Sequence, residues 1–169
     1  MSNNTQTVKS DAVLVKEFTV ATGYDIPKEP QKMNKDQVHF IVKMMIDEIK
    51  ELMATVEKPE EYKKTLINLI DHTKDVERPF ETMSDEEIIA EQHDAFVDSY
   101  YYTLNCAAKN GVNMSKIFNL VHQANMAKKD PESGLFNRRA DGKIIKPPGW
   151  IEPDIVGEIK SQIKNGAWN

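Results

Sequence analysis

The 169 residues carry 27 acidic against 22 basic side chains, a formal net charge of -5, with 40% hydrophobic and 29% charged residues. That balance suits a globular chain with one sizeable core and excludes two classes, the general nucleic-acid binder with its dominant basic surface and the polybasic membrane anchor. A single cysteine, Cys106, leaves no disulfide framework and no cysteine-built zinc site within one chain, which points to a reducing, cytoplasmic setting.

The opening MSNNTQTVKS is polar, lacks an apolar signal region and is expected to be disordered through residue 10. With only 7 glycines and no long β-branched alternation, helical periodicity dominates the rest of the chain. A first helix is predicted over 11–22, closed by Gly23 and followed by a loop holding Pro27 and Pro30. A long second helix runs over 35–56 and a third over 60–74. After Pro79, SDEE places Ser84 three residues before Glu87, the spacing of a capping box, and opens a helix that reaches Lys109 before Gly111. A fifth helix covers 114–129, with Cys106 before it read as a small core residue. From Asp130 the texture changes to DPESGLFNRRADGKIIKPPGWIEPDI, rich in turn formers and basic residues, with a last short helix over 153–164. No stretch reaches the roughly 18 apolar residues of a membrane span. The expected fold is all-α, an antiparallel helical bundle forming a single domain over 1–169, with 130–169 as an irregular C-terminal arm.

On a wheel of 100° per residue, Val38, Ile41, Val42, Met45, Ile49, Leu52 and Val56 form one apolar stripe of the second helix. Lys43 and Lys50 flank it on one side, Glu48 and Glu51 on the other, and Asp47 points toward solvent. In the fourth helix Glu87, Glu91, Asp94 and Asp98 fall within about 60° of one another, and Tyr102 and Asn105 continue that edge. Ile89, Phe96, Tyr100, Leu104 and Ala107 occupy the adjacent apolar sector. None of these acids has a lysine or arginine three or four residues away on its edge. Two like charges about 4 Å apart and partly buried repel by about 4 kcal/mol at an effective dielectric of 20. If the two edges face each other, a divalent cation is the economical way to hold them. Oxygen ligands alone suit a hard ion, Mg2+ or else Mn2+, rather than zinc. The plainer alternative is two solvated acidic faces.

His39, His72, His93 and His122 show no mutual ligand spacing, and neither a Ser-His-Asp set nor a glycine-rich phosphate loop is present. NMAK places Asn125 and Lys128 at i, i+3 near a helix C-terminus, where a lysine often does no more than complement the helix dipole. NRRADGKIIKPPGW gathers Arg138, Arg139, Lys143 and Lys146 around an Asp-Gly turn. In an acidic protein such an arm suits a triphosphate; a solvated tail is the simpler account. Tyr101, Tyr102 and Trp150 are available to stack on a base.

DEIKE at 47–51 resembles the EExxE signature of the all-α nucleoside triphosphate pyrophosphohydrolases, with Asp for the first Glu, and EQHD at 91–94 resembles their ExxD signature. The group spans MazG-type enzymes, dCTP pyrophosphatases, dimeric dUTPases and phosphoribosyl-ATP pyrophosphohydrolases. DAFVDSYYYTLNCAAKNGVN and VHQANMAKKD with the RRADGKIIKPPGWIEPDI stretch are similar to the phosphoribosyl-ATP pyrophosphohydrolase-like branch. The resemblance implies antiparallel helices assembled as a homodimer or higher homo-oligomer. It also implies magnesium-dependent cleavage between the α- and β-phosphates of a nucleoside triphosphate. Glu48 and Glu51 would then be metal ligands, one of them also the acid that orients or deprotonates water. Glu91 and Asp94 match ExxD literally, whereas Asp98 directly precedes the aromatic run, so all three stand as ligands. Asn125 and Lys128 match the family's Asn-x-x-Lys. Tyr102, Asn105, Arg139, Lys143 and Lys146 complete the substrate-binding expectation. Two rivals are true phosphoribosyl-ATP hydrolysis and a non-catalytic helical protein that binds nucleotide or magnesium. The segment over 53–84 is longer than the usual family linker.

Overall fold

A computed structural model describes residues 9–140 and 142–168. Among these the chain is all-helical, with α1 Asp11–Ala21, α2 Lys35–Met53, α3 Pro59–His72, α4 Asp85–Lys109, α5 Met114–Met126 and α6 Ile155–Asn165. Strand pairing is limited, among the described residues, to one isolated bridge between Arg138 and Ile144. All six predicted helices form, and their ends obey local chemistry. Asn34 caps α2 in a capping box with Gln37, each side chain bonded to the other residue's backbone N–H at 2.9 Å. Ser84 and Glu87 do the same at the start of α4, at 2.7 and 3.2 Å. α2 stops at Met53 rather than Val56, and Lys58 and Pro59 start α3 afresh, because proline is tolerated in a helix's first turn and not in its interior. The disorder expected through residue 10 lies outside the described residues up to residue 8. Ser10 caps α1 by accepting the Val13 N–H, and Lys9 pairs with Glu17.

The backbone divides into two compact units. The first comprises 1–28 and 98–169. Within it α1 packs on α5 and α5 on α6, and the buried residues are Leu14, Ala167 and Gln162. Gln162 is a buried polar side chain with every polar atom satisfied. It accepts the Asn113 N–H at 2.8 Å and donates to the Asn113 carbonyl at 3.1 Å and to Glu158 at 3.0 Å. The arm after Asp130 is ordered by specific anchors. Phe136 meets Phe18 edge to face with centroids 5.6 Å apart. Arg138 donates to the carbonyls of Thr22 and Gly142 at 3.1 and 2.9 Å, with its guanidinium 4.7 Å from the Tyr24 ring centroid. Trp150 Nε1 donates to the Ala124 carbonyl at 2.7 Å.

The second unit, 29–97, holds α2, α3 and the first half of α4. Its anchors lie at the helix starts. Gln92 accepts the Met33 N–H at 2.9 Å and donates to the Met33 carbonyl at 3.0 Å, and Lys32 pairs with Asp85. Beyond these, α2, α3 and this half of α4 do not pack side by side, and no residue of the unit is fully buried. The α2 stripe is therefore half covered at Val38, Ile41 and Met45 and open at the far end, with Leu52 68% and Val56 78% exposed. Cys106, expected in a core, is exposed. No described helix is long and apolar enough to cross a membrane.

Candidate active site

Glu48 and Glu51 sit on α2, and Asp94 and Asp98 on α4, all exposed and, among the described residues, without an ion-pair partner. Glu91 departs from the expectation that none of the acids is paired. Arg78, in the loop before α4, donates to it from Nε at 2.6 Å. A scan of i±3 and i±4 positions cannot find a partner thirteen residues upstream off the helix. Asp47 is engaged by Lys43 and Lys50 at 3.2 and 3.7 Å, the i, i+4 and i, i+3 neighbours on its own face.

Convergence of the two acidic edges on a cation was the central expectation. Among the described residues no three histidine, cysteine, aspartate or glutamate side chains come close enough to hold a metal ion. Glu48, Glu51, Glu91 and Asp94, the proposed ligands in the second unit, form no such group among the described residues. In the second unit the cause is plain. α2 and α4 are tied at Met33 and Gln92 and not packed along their acidic lengths.

The basic residues do come together. Lys128, just past the C-terminus of α5, donates from Nζ to Asn125 Oδ1 at 2.7 Å. Its Nζ lies 5.5 Å from the centroid of the Trp150 ring, and the Nζ of Lys146 lies 4.3 Å from the same centroid. Burial holds the Lys128 amine below the usual lysine value, and the charge of Lys146 lowers it further. Lys146 has a counterion in Glu152 at 3.3 Å; among the described residues Lys128 pairs with no carboxylate. Two ammonium groups on one indole, only one of them compensated, form a place where an anion lowers the energy. The Asp of the expected Asp-Gly turn lies outside the described residues, and the chain turns at Gly142. Arg139 N–H donates to the Lys143 carbonyl at 2.8 Å and Gly142 N–H to the Arg139 carbonyl at 2.9 Å. Gly142 has φ +83°, which a side chain rarely allows. Arg139 and Lys143 thus face each other across a turn.

Tyr102 and Asn105 are exposed on α4. Asn105 lines a cavity of about 370 Å3 with Tyr101, Leu104, Asn113 and Trp168, while Tyr102 lies off it. Two larger cavities, about 770 and 620 Å3, flank Lys32 at the start of α4, the second reaching His39 and Phe80. No expected site residue lines either one. Sequence reasoning missed Trp150 as the seat of the lysine pair, offering it as a surface for a base. It also missed Arg78 and Glu152. The short spacing in KPPGW, four residues from Lys146 to Trp150, is the one signal that pointed there.

A sequence model of the phosphoribosyl-ATP pyrophosphohydrolase family matches residues 15–125. That span includes both acidic helices and ends at Asn125. The fold is that of a crystal structure from Exiguobacterium sp. 255-15, described provisionally as an NTP pyrophosphohydrolase. The two agree with a TM-score of 0.75 and 23% identity over 92% of this chain and 97% of that one. No curated protein matches. An all-helical chain whose family model spans both acidic helices is thus placed in a class, that of the all-α nucleotide pyrophosphohydrolases. Within that class the chain belongs to the phosphoribosyl-ATP pyrophosphohydrolase family.

Proposed function

We propose that this protein hydrolyses a nucleoside or deoxynucleoside triphosphate between its α- and β-phosphates, yielding the monophosphate and pyrophosphate in nucleotide-pool housekeeping. The observation that carries this reading is the uncompensated Lys128, tied to Asn125 and set beside Lys146 on the Trp150 ring. A polyphosphate supplies the negative charge that pair lacks. Water adds to the α-phosphorus, the bond to the bridging oxygen breaks, and pyrophosphate leaves as the water proton is taken up. Glu48 or Glu51, exposed and unpaired, is the acceptor for that proton. Asn125, Lys128 and Lys146 hold the β- and γ-phosphates and offset the charge that builds on the leaving group. Arg139, Lys143, Tyr102 and Asn105 belong to the same substrate-binding proposal.

A hard divalent cation, Mg2+ or Mn2+, remains part of the proposal, with Glu48, Glu51, Glu91, Asp94 and Asp98 as its ligands. Among the described residues no metal-holding group is found, and Glu91 must first leave Arg78. The working form is a homo-oligomer, and neither nucleic acid nor membrane is a partner of a chain with net charge -5.

The family match favours one second reading, that the triphosphate is phosphoribosyl-ATP itself. Bond and products are the same in kind, so substrate choice separates the two. A panel of nucleoside triphosphates and phosphoribosyl-ATP, each with magnesium, is scored for pyrophosphate and for phosphate. Pyrophosphate from ordinary triphosphates supports the first reading, and from phosphoribosyl-ATP alone the second. Phosphate release, or binding without any product, rejects both.

A further inference from the structure

The elbow between α4 and α5 holds the cavity of about 370 Å3, a volume in the range of small-molecule sites. Unlike the two larger cavities it is lined, among the described residues, by no charged side chain. Tyr101, Leu104, Asn105 and Ala108 recur at helical spacing along α4 and line it together, and Trp168 arrives from beyond α6. Trp168 is anchored there. Gly166 turns the chain after α6 at φ +85°, Ala167 is buried, and its carbonyl accepts Asn113 Nδ2 at 3.1 Å. The indole nevertheless stays 65% exposed and the Tyr101 ring 68% exposed. Neither ring meets another aromatic ring among the described residues, so their faces remain available to a planar ligand. The polar groups divide in the same way. Asn113 is committed to the fold, donating to Ala167 and accepting the Ser115 N–H at 3.1 Å. The Asn105 amide and the Tyr101 hydroxyl bond to no protein group among the described residues.

We propose that this cavity binds a nucleobase, stacked on Trp168 and Tyr101 with its hydrogen-bonding edge on the Asn105 amide. A side-chain amide offers a donor and an acceptor side by side, the complement of the adjacent acceptor and donor on a base edge. Stacking on an aromatic face accepts any base, so preference among bases comes from the amide. With no charge in the lining, the part of a ligand held here is the uncharged base and its sugar. The lysine pair lies past the other end of α5, about 20 Å along the helix. The base thus comes from a triphosphate lying along α5 or from a second nucleoside, and one chemistry recognises both. The inference does not rest on the hydrolase reading, because a nucleoside without phosphates is the ligand tested. Trp168 also lies beyond the residues that the family model matches.

Adenosine and cytidine are titrated against the full chain while tryptophan emission is followed, and equilibrium dialysis measures the affinity directly. A base stacked on Trp168 is expected to quench part of the emission saturably. Trp168→Leu, which keeps Trp150 as its one tryptophan, is expected to lose that quenching. In dialysis Trp168→Leu and Tyr101→Leu each weaken binding about tenfold, whereas Trp168→Phe, which keeps a stacking face, retains most of it. Asn105→Ala is expected to bring adenosine and cytidine to equal affinity. Circular dichroism checks that each variant keeps its helices. No saturable binding of either nucleoside at millimolar concentration overturns the proposal, which is also the result if another protein surface fills the elbow. Binding that Trp168→Leu and Tyr101→Leu leave unchanged places the base elsewhere and overturns it too. Excess triphosphate separates the two sources, since adenosine is displaced where the base is the substrate's and stays bound where it is a second nucleoside's; either result supports the site. If nucleosides bind while no triphosphate is cleaved, the hydrolase reading fails and the base site stands. If triphosphate is cleaved and no nucleoside binds, the reverse holds.

Discussion

Lys146 places its ammonium 4.3 Å from the centroid of the Trp150 indole, eighteen residues beyond Lys128, which shares the ring from just past the end of α5. Loop and helix C-terminus are thereby joined around one aromatic side chain, whose own N–H is tied to the Ala124 carbonyl. The indole positions both cations, and charge, not apolar contact, is what this corner of the molecule offers a ligand.

Lys128→Met is expected to raise KM for the triphosphate about tenfold with a smaller effect on kcat, since losing one charge-assisted contact costs about 1.5–3 kcal/mol less the gain from relieving its burial. Trp150→Leu should weaken binding by a smaller factor, about 0.5–2 kcal/mol for a cation–π contact, and Trp150→Phe less again. Steady-state kinetics at two salt concentrations check this, and a KM indifferent to Lys128 removes the pair from phosphate binding.

Glu51→Gln and Asp98→Asn should each lower kcat by about 10² or more, with circular dichroism unchanged because both side chains are exposed and, among the described residues, make no ion pair. Pyrophosphate release at the wild-type rate in both variants would exclude these carboxylates from the chemistry.

Gln162→Leu leaves both part-buried backbone groups of Asn113 without their partner. The expected loss is about 1–3 kcal/mol for each unsatisfied group, read as a fall in Tm. Asn34→Ala, which removes an exposed N-cap, should cost only about 1 kcal/mol. Equal losses in the two variants would mean that Gln162 does not anchor α6.

Tyr100 donates its hydroxyl proton to Asp11, and that bond, aided by burial and by the carboxylate's charge, raises the tyrosine above its ordinary value of 10.0. The folded state thus favours the protonated phenol. Its contribution to stability is complete below pH 10 and disappears as the pH climbs through the raised value. Tyr100→Phe should flatten the alkaline limb of the denaturation profile and leave its acid limb alone. A limb that stays steep assigns the alkaline loss to other groups.

Helices, caps and arm were legible along the chain because each depends on neighbours a few residues away. The Ser84–Glu87 box, the Asn-x-x-Lys bond from Asn125 to Lys128 and the turn at Gly142 are contacts of this kind. The misreadings came where distance in sequence was large or where cover was assumed. Arg78 reaches Glu91 from a separate loop, Cys106 faces outward, and the α2 stripe meets no core at Leu52.

Sequence alone determined that this chain is helical, close to where its helices start, and that acids ride the edges of two of them, since periodicity and capping are local properties of the backbone. Tertiary structure decided which charges meet. It drew Lys128 and Lys146 onto Trp150, and within the second unit, among the described residues, it gathers no carboxylates into a metal-holding group. Long-range contact forms only where packing outweighs the entropy of ordering the intervening chain, and between α2 and the first half of α4 the described residues provide little such packing.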